Sequence, residues 1–265
     1  MSDSQTTETG TVGAIDRAVR ILDELSTAPA GLDLATIAQA VGMSPSGAHR
    51  ALKSLVIGGL VSQRERRGDY FLGPKILIWS QQMRDETALA SISMPVLQQL
   101  NEETRESVYL SVVRDQRIWN ICVLRGRGEI VVQTRPGAEQ LFHSTGRGKL
   151  FLAYADRAVA KRIIAATGLP AVGPATITVE SDLWVEVDRA RAQGYATSRE
   201  ESFAGGAGVA FPILDQSGSL MATVGASIPL QRFESLGETY FIDQVRAAAD
   251  RIMASWALES ESPLA

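Results

Sequence analysis

Residues 43–61 hold several hydrogen-bond donors at helical spacing. In the stretch MSPSGAHRALKSLVIGGLV, Ser46, His49, Arg50 and Lys53 follow one another at intervals of three, one and three residues. The 3.6-residue period of a helix puts all four on one face. Hydroxyl, imidazole, guanidinium and ammonium groups together suit an acceptor-rich surface such as the phosphates and base edges of a nucleic acid. The alternative is an ordinary solvated polar face, so the neighbouring elements must decide between the two.

The helix that carries these donors has clear start and stop signals. Ser44 is a good N-cap, and Pro45 falls at the first helical position, where its missing N–H costs nothing. Gly58 and Gly59 end the helix. The face opposite the donors is apolar and is expected to pack on partner helices; it consists of Ala48, Ala51, Leu52, Leu55 and Val56.

The flanking residues predict the other parts of a winged helix-turn-helix. Residues 12–26 have helical apolar spacing, and residues 27–33 break that helix with Pro and Gly. Asp33 caps a second helix, LATIAQAV, which Gly42 ends. After the third helix, LVSQRERRGDYFLG predicts two short strands around a basic turn. In such a module the third helix enters the major groove and the wing contacts the DNA backbone.

Charge is distributed unevenly along the chain. The 265 residues carry a net charge of −4, yet residues 44–67 hold a local surplus of four positive charges. A basic module on an acidic body is typical of a DNA-binding domain joined to a second domain. The length also favours two domains over one.

Composition excludes several classes of protein. The polar, acidic residues 1–10 predict a disordered tail rather than a secretory signal, so we expect a cytoplasmic protein. We expect no membrane segment, because no apolar run approaches the ~18 residues that a span needs. With one cysteine, Cys122, and two histidines, neither an internal disulfide nor a metal site is expected, and no cofactor is implied.

The rest of the chain predicts an α+β domain with an antiparallel sheet. Residues 75–104 are mostly helical, with a break or kink at Pro95, and residues 107–134 suggest a meander of antiparallel strands. Helices, strands and a last helix then follow in that order. The predicted helices cover 148–155, 156–167, 181–193 and 237–258, and the strands cover 195–199, 207–214 and 220–228.

The ordered series of segments resembles the isocitrate lyase regulator (IclR) family of transcriptional regulators. The N-terminal resemblance is carried by AIDRAVRILDELS, LATIAQAVGMSPSGAHRALKSLVIGGLV and YFLGPKIL. The C-terminal resemblance is carried by FHSTGRGKLFLAY, RAQGYATSREES and AFPILDQSGSLMATVGASIPLQRF. Together these cover about residues 12–258. The resemblance implies a winged helix-turn-helix over 11–73, a linker and dimerisation helix over 74–104, and a GAF-like effector-binding domain over 105–260.

The resemblance also implies partners. Such proteins are homodimers or dimers of dimers that bind double-stranded operator DNA and a small organic-acid effector, and they activate or repress catabolic operons. In the family, a segment like Lys-Ser-Thr-Ala-His-Arg contacts DNA, and Ser46, Gly47, His49 and Arg50 match it. Gly47 stands where the family often has Thr, so base reading is expected to rely on Arg50, Lys53 and Ser46, while His49 packs or touches phosphate. The wing arginines are Arg64, Arg66 and Arg67.

For the effector site, family members that bind small 2-oxo acids use backbone N–H groups that here belong to Gly146 and Arg147. They add an Asp, a Cys and two Ser, and the matching positions are Ser198, Gly208, Gly225 and Ser227. These departures enlarge the site and remove an acid, while Arg147, where the family often has Ala, adds a carboxylate partner. We therefore expect an aromatic or other bulky carboxylic acid rather than glyoxylate or pyruvate. In the alternative interpretation, Arg147 points outward and the glycines serve only strand packing.

Several fragments resemble enzyme motifs but lack residues that those motifs require. HSTGRGKL has His143 and Leu150 where a phosphate-binding loop needs Gly and Ser or Thr, and GRGEIV has Val131 in place of the last glycine of a dinucleotide motif. Glu200 and Glu201 are adjacent and so point apart rather than pairing for acid–base work. We expect no enzyme. The alternative function is a small-molecule sensor or enzyme domain that uses the helix-turn-helix for protein contacts.

Overall fold

The computed structural model describes residues 13–64, 68–132 and 141–261; of residues 260 and 261 it describes the backbone alone. The chain divides between Thr87 and Ala88 into two compact units. Within the described ranges, no helix combines the length and the apolar character needed to cross a membrane.

The N-terminal unit has the predicted winged helix-turn-helix. Helices α1 (Gly13–Ser26), α2 (Leu34–Ala40) and α3 (Pro45–Ile57) precede strands β1 (Val61–Gln63) and β2 (Tyr70–Leu72), which pair antiparallel. Asp33 caps α2, and its carboxylate accepts a hydrogen bond of 2.7 Å from the Thr36 backbone N–H. Ser44 caps α3 and Pro45 begins it, as predicted.

The core of this unit forms mostly on the predicted faces. Helix α3 buries Ala48, Leu52 and Leu55, but Val56, predicted to pack, is 37% exposed. Val56 lies at the edge of the apolar stripe, where the 3.6-residue period no longer points into the core. The buried cluster also contains Ile21, Leu25, Ile37, Val41, Val61 and Tyr70.

Two helices follow the wing. Helix α4 (Lys75–Ser80) buries none of its residues, and Leu77, Ile78 and Trp79 are exposed on it. Helix α5 (Arg84–Thr104) continues through Pro95, so of the predicted break or kink there the break does not occur. The part of α5 after the unit boundary packs on the C-terminal sheet through Leu89, Val96, Leu97 and Leu100.

The C-terminal unit is built on a five-stranded antiparallel sheet. Its strands are β3 (Ser107–Arg114), β4 (Arg117–Leu124), β5 (Ala196–Arg199), β6 (Gly206–Leu214) and β7 (Leu220–Pro229), in the order β4-β3-β7-β6-β5. In the described part of 107–134, where a meander was expected, the strands are the antiparallel hairpin of β3 and β4, which ends at Leu124. This sheet and the helices around it confirm the predicted α+β class.

Helices cover both faces of this sheet. The further helices are α6 (Gly146–Tyr154), α7 (Arg157–Thr167), α8 (Glu180–Gln193), α9 (Leu230–Leu236) and α10 (Glu238–Glu261). Val209 and Phe211 pack in the cluster that contains α10 residues, whereas Ala210 packs with Leu150 of α6. Because neighbouring strand residues point to opposite faces, α6 and α10 lie on opposite sides of β6.

Candidate functional site

The exposed face of α3 carries the donors that the sequence predicted. Ser46, His49, Arg50 and Lys53 are all exposed, while Ala48 and Leu52 of the same helix are fully buried. The hydroxyl of Ser44 accepts a hydrogen bond of 3.2 Å from the Gly47 N–H, which fixes the first turn of the helix. The structure therefore brings these four donors onto one solvent-facing surface.

Gly47 leaves little room at the start of this surface. A Cβ atom at that position would lie 3.1 Å from the Ser44 hydroxyl oxygen and 3.5 Å from the Met43 methyl carbon. A threonine there would therefore crowd the N-cap. The absence of a side chain at 47 goes together with the serine cap at 44.

The hairpin that follows α3 supplies one described arginine. Arg64 is exposed, and its guanidinium carbon lies 4.5 Å from the centroid of the Phe71 ring. This stacking holds the cation at the wing. Arg66 and Arg67 lie outside the described residues.

A cavity of about 280 Å³ lies in the C-terminal unit at the start of α6. Five of the six predicted effector residues line it, namely Gly146, Arg147, Ser198, Gly208 and Ser227. The last three form a row across the sheet, because Ser198 pairs with Gly208 and Gly208 pairs with Ser227. Apolar walls come from Val132, Leu141, Val172 and Phe203.

The first turn of α6 approaches β5 closely. A Cβ atom on Gly146 would lie 2.9 Å from the Ala196 carbonyl oxygen, so only glycine permits this approach. Thr145 caps the helix, and its hydroxyl accepts a hydrogen bond of 3.1 Å from the Gly148 N–H. The N–H groups of Gly146 and Arg147 lie in the first turn, where a helix has no acceptor of its own and favours an anion.

Arg147 is buried beside the cavity and does not point outward. Only 4% of the residue is exposed, and its guanidinium carbon lies 3.3 Å from the centroid of the Tyr109 ring. Its Nη1 donates a hydrogen bond of 2.5 Å to Asn120 Oδ1, which also accepts one from the Ser111 hydroxyl at 2.7 Å. Burial lowers the pKa of Arg147 and raises the pKa of Tyr109, with their mutual interaction opposing both shifts.

Arg147 has donors to spare. Its Nε has no hydrogen-bond partner in the described part of the chain. No carboxylate of the described residues lies within 4 Å of its guanidinium nitrogens either, although Lys149, two residues on, has two such carboxylates within 4 Å of its Nζ. The cavity is thus lined by a buried cation whose neighbours are neutral.

Gly225, the sixth predicted residue, lies behind the cavity wall rather than on it. A Cβ atom on Gly225 would lie 2.3 Å from the Tyr109 hydroxyl oxygen and 2.4 Å from the Val209 carbonyl oxygen. The strand-packing role that the sequence left open for the glycines therefore applies to Gly225. Gly225 affects the cavity indirectly, because it packs against Tyr109, and Tyr109 lines the cavity.

A buried ion pair joins α6 to the loop after β5. Lys149 Nζ donates hydrogen bonds to Glu201 Oε1 at 2.7 Å and to the Thr197 carbonyl at 3.0 Å. Burial raises the pKa of Glu201, and Lys149 opposes the rise. Ser202, the next residue, lines the cavity, and its hydroxyl donates a 2.6 Å hydrogen bond to the Ser144 carbonyl. The pair therefore fixes two walls of the cavity relative to each other.

Sequence reasoning missed several residues of this site. Tyr109, Asn120, Ser202 and Phe203 were not predicted, although all four lie at the cavity or contact Arg147. Tyr109 and Asn120 lie on two paired strands, and a bulge between Leu110 and Ser111 sets their relative positions. An aromatic residue on a predicted strand was the only available signal, and it does not indicate which face the side chain occupies.

Comparison with known proteins gives consistent matches to one family over both units. Residues 14–65 match the family model of the IclR helix-turn-helix domain, and residues 81–254 match that of the bacterial transcriptional regulator IclR C-terminal domain. The HTH-type transcriptional regulator BhcR of Paracoccus denitrificans is 28% identical over 242 residues, 91% of this chain and 86% of BhcR. The HTH-type transcriptional regulator Rv1719 of Mycobacterium tuberculosis is 30% identical over 232 residues, 88% of each chain.

Solved structures match the fold over nearly the whole chain. The IclR protein of Thermotoga maritima superimposes with a TM-score of 0.70 at 25% identity, covering 92% of this chain and 98% of that one. An IclR homolog from Microbacterium hydrocarbonoxydans, complexed with 4-hydroxybenzoate, superimposes with a TM-score of 0.69 at 24% identity. The superposition covers 91% of this chain and 98% of the chain of that homolog.

Proposed function

The chain belongs to the IclR family of bacterial transcriptional regulators, which are not enzymes, and from this premise we propose how it binds operator DNA and what controls that binding. The proposal is that α3 enters the major groove of an operator and that a small organic acid in the cavity at the start of α6 modulates the affinity. One observation carries the DNA half: four donors lie exposed on a single face of the third helix of a winged helix-turn-helix.

The donors of α3 have different tasks in this proposal. Arg50 reads a base, because arginine paired with guanine is the commonest specific contact, while Ser46 and Lys53 add base or phosphate contacts. His49 touches phosphate. Gly47 contributes no side chain, so few side chains carry the sequence preference. The wing arginines contact the DNA backbone and orient the module; they are Arg64, Arg66 and Arg67.

The effector in this proposal is an organic acid with an aromatic or otherwise apolar body. A volume of about 280 Å³ is near the small end of ligand sites, and it suits a single ring better than a larger molecule. The homolog complexed with 4-hydroxybenzoate supports an aromatic acid as the first compound to test. Gly146, Arg147, Ser198, Gly208 and Ser227 form the site, with Gly225 acting through Tyr109.

Assembly and biological role complete the proposal. The protein acts in the cytoplasm as a homodimer or a dimer of dimers that controls a catabolic operon. The segment 74–104 links the DNA-binding domain (11–73) to the effector domain (105–260) and contributes to dimerisation; the exposed apolar residues Leu77, Ile78 and Trp79 support that role. Effector binding biases the spacing of the two recognition helices, a coupling of about 1–3 kcal/mol that must be reciprocal.

Fluorescence anisotropy with labelled duplexes tests the function. Purified protein is titrated with DNA from upstream of its own gene and with a shuffled duplex of equal composition, over a series of salt concentrations. We expect tighter binding to the upstream duplex, an affinity that falls steeply with salt, and a shift of affinity when 4-hydroxybenzoate or a related acid is added. Equal affinity for every duplex would favour the alternative of a sensor or enzyme domain that uses the helix-turn-helix for protein contacts.

A further inference from the structure

The strongest unexplained feature of the molecule is the buried charge of Arg147. A guanidinium transferred from water into a protein interior is strongly disfavoured unless an opposite charge and enough acceptors compensate it. Here the residue is 4% exposed, and its described contacts are a phenol ring and an amide oxygen, both neutral. The folded unit therefore holds one positive charge that its own described residues leave uncompensated.

The neighbouring ions do not supply the counter-charge. Glu201 is a buried acid near the start of α6, and its Oε1 accepts a hydrogen bond of 2.7 Å from Lys149. Glu186 also lies near Lys149, 3.8 Å from its Nζ. Because both carboxylates pair with Lys149, they do not compensate the charge of Arg147.

The guanidinium is held in one orientation from two sides. Tyr109 lies against its face, and Asn120 accepts from one of its five N–H donors. Asn120 is itself fixed by the Ser111 hydroxyl at 2.7 Å. A planar guanidinium fixed in this way, with its Nε still lacking a partner among the described residues, is prepared for a planar carboxylate.

We propose that Arg147 is the anion anchor of the cavity, and that the effector is a monocarboxylate whose single charge compensates this guanidinium. The inference rests on the proposed function and specifies the ligand of the same site. The positive end of α6 favours the same anion. The body of the ligand lies against the apolar side chains of Val132, Leu141 and Val172, and a polar substituent reaches the hydroxyl row of Ser198 and Ser227. A dicarboxylate would bring a second charge that no described cation of the cavity compensates.

The test compares a carboxylate with its neutral isostere on the full-length protein. Calorimetry and thermal unfolding are carried out with 4-hydroxybenzoate and with 4-hydroxybenzamide, which has the same shape without the charge. We expect the acid to raise the melting temperature and the amide to bind roughly 10- to 100-fold more weakly, the ratio expected for hydrogen bonds to a charged group.

Variants of Arg147 then locate the effect. Arg147→Met removes the charge and is expected to raise the melting temperature of the ligand-free protein and to abolish the preference for the acid. Arg147→Lys keeps the charge without the planar fork and is expected to bind the acid at intermediate affinity. Arg157→Met is the matched control, because Arg157 also stacks on an aromatic ring, that of Trp184, but is exposed and paired with Asp188. It should leave ligand binding unchanged.

Three results would overturn the inference: equal binding of acid and amide, retention of acid binding by Arg147→Met, or no melting shift with 4-hydroxybenzoate, benzoate or phenylacetate. Operator binding is measured on the same samples. A protein that prefers the acid but binds no operator would contradict the proposed function and leave the anchor intact. A protein that binds its operator and responds to neutral compounds would do the reverse.

Discussion

The Tyr109 hydroxyl occupies the space that a side chain at position 225 would need. The two residues face each other on the paired strands β3 and β7, and a Cβ atom on Gly225 would lie 2.3 Å from the phenolic oxygen. This arrangement lets the ring of Tyr109 lie flat under Arg147. The lack of a side chain at position 225 of β7 thus leaves room for the Tyr109 ring that holds Arg147 of α6.

Substitution of Gly225 is expected to damage this arrangement. Gly225→Ala places a methyl group against both the Tyr109 hydroxyl and the Val209 carbonyl, so the free energy of unfolding of the C-terminal unit should fall by about 1–3 kcal/mol. Urea denaturation followed by circular dichroism measures the change. Gly13→Ala is the control, since among the described residues a Cβ atom there meets only the tip of Arg17, at 4.0 Å, and should cost little. Equal stability of Gly225→Ala and wild type would contradict the packing argument.

The Lys149–Glu201 pair is expected to contribute to stability only as a pair. Removing one partner leaves the other charge buried, so Lys149→Met should lower the free energy of unfolding by about 3 kcal/mol or more. The double variant Lys149→Met with Glu201→Gln should recover part of the loss, because neither position of the pair then leaves a buried charge without its partner. Urea denaturation of the wild type, of Lys149→Met, of Glu201→Gln and of the double variant gives the coupling energy as a double-mutant cycle.

An exposed ion pair in the same unit provides the reference for that cycle. Arg157 and Asp188 lie 2.7 Å apart with side chains 48% and 66% exposed, and their coupling should be about 0–1 kcal/mol. If the Lys149–Glu201 coupling were no larger than this, the pair would not hold α6 to the loop after β5.

Cys122 is expected to be unreactive in the folded protein at neutral pH. Burial raises the pKa of its thiol from 9.0 to about 11, so the reactive thiolate is scarce below that range. The thiol ionises at lower pH in the unfolded chain than in the folded one. The contribution of the buried, neutral thiol to the free energy of unfolding is therefore complete below about pH 9 and is lost as the pH rises towards 11. A disulfide reagent such as dithionitrobenzoate should label the single cysteine slowly at pH 8 and at once in urea.

A Cys122→Ala variant isolates the thiol from other groups that titrate at high pH. Between pH 9 and 11, wild type should lose more stability than the variant. Parallel stability curves, or rapid labelling of the native protein at pH 8, would show that the thiol is accessible to solvent.

Local signals made the start of α3 predictable. Ser44 and Pro45 are capping residues whose effect does not depend on distant parts of the chain, so the first turn and its exposed donors followed from the sequence. The inner face was predicted less well, because periodicity identifies an apolar stripe and not what covers it. Val56 lies at the edge of that stripe and is 37% exposed.

The cavity was predictable only in part, for a physical reason. Five of its residues were found through resemblance, but the contacts of Arg147 depend on a helix meeting two strands at one place. The bulge between Leu110 and Ser111 and the space at Gly225 decide where Tyr109 and Asn120 lie. Such tertiary coincidences leave no periodic trace in the sequence.

Arg50 is expected to carry more sequence preference than any other side chain of α3, because Gly47 offers nothing for base contact. Arg50→Ala should weaken binding to the operator by about 1–3 kcal/mol and weaken binding to a shuffled duplex far less. Arg20→Ala removes the same charge from the exposed surface of α1 and serves as the control. Anisotropy titrations at two salt concentrations separate the effects, because a phosphate contact changes the salt slope and a base contact changes the ratio of the two affinities. If Arg50→Ala lowered both affinities equally, Arg50 would be a backbone contact, and the reading of the operator would have to lie with Ser46 and Lys53.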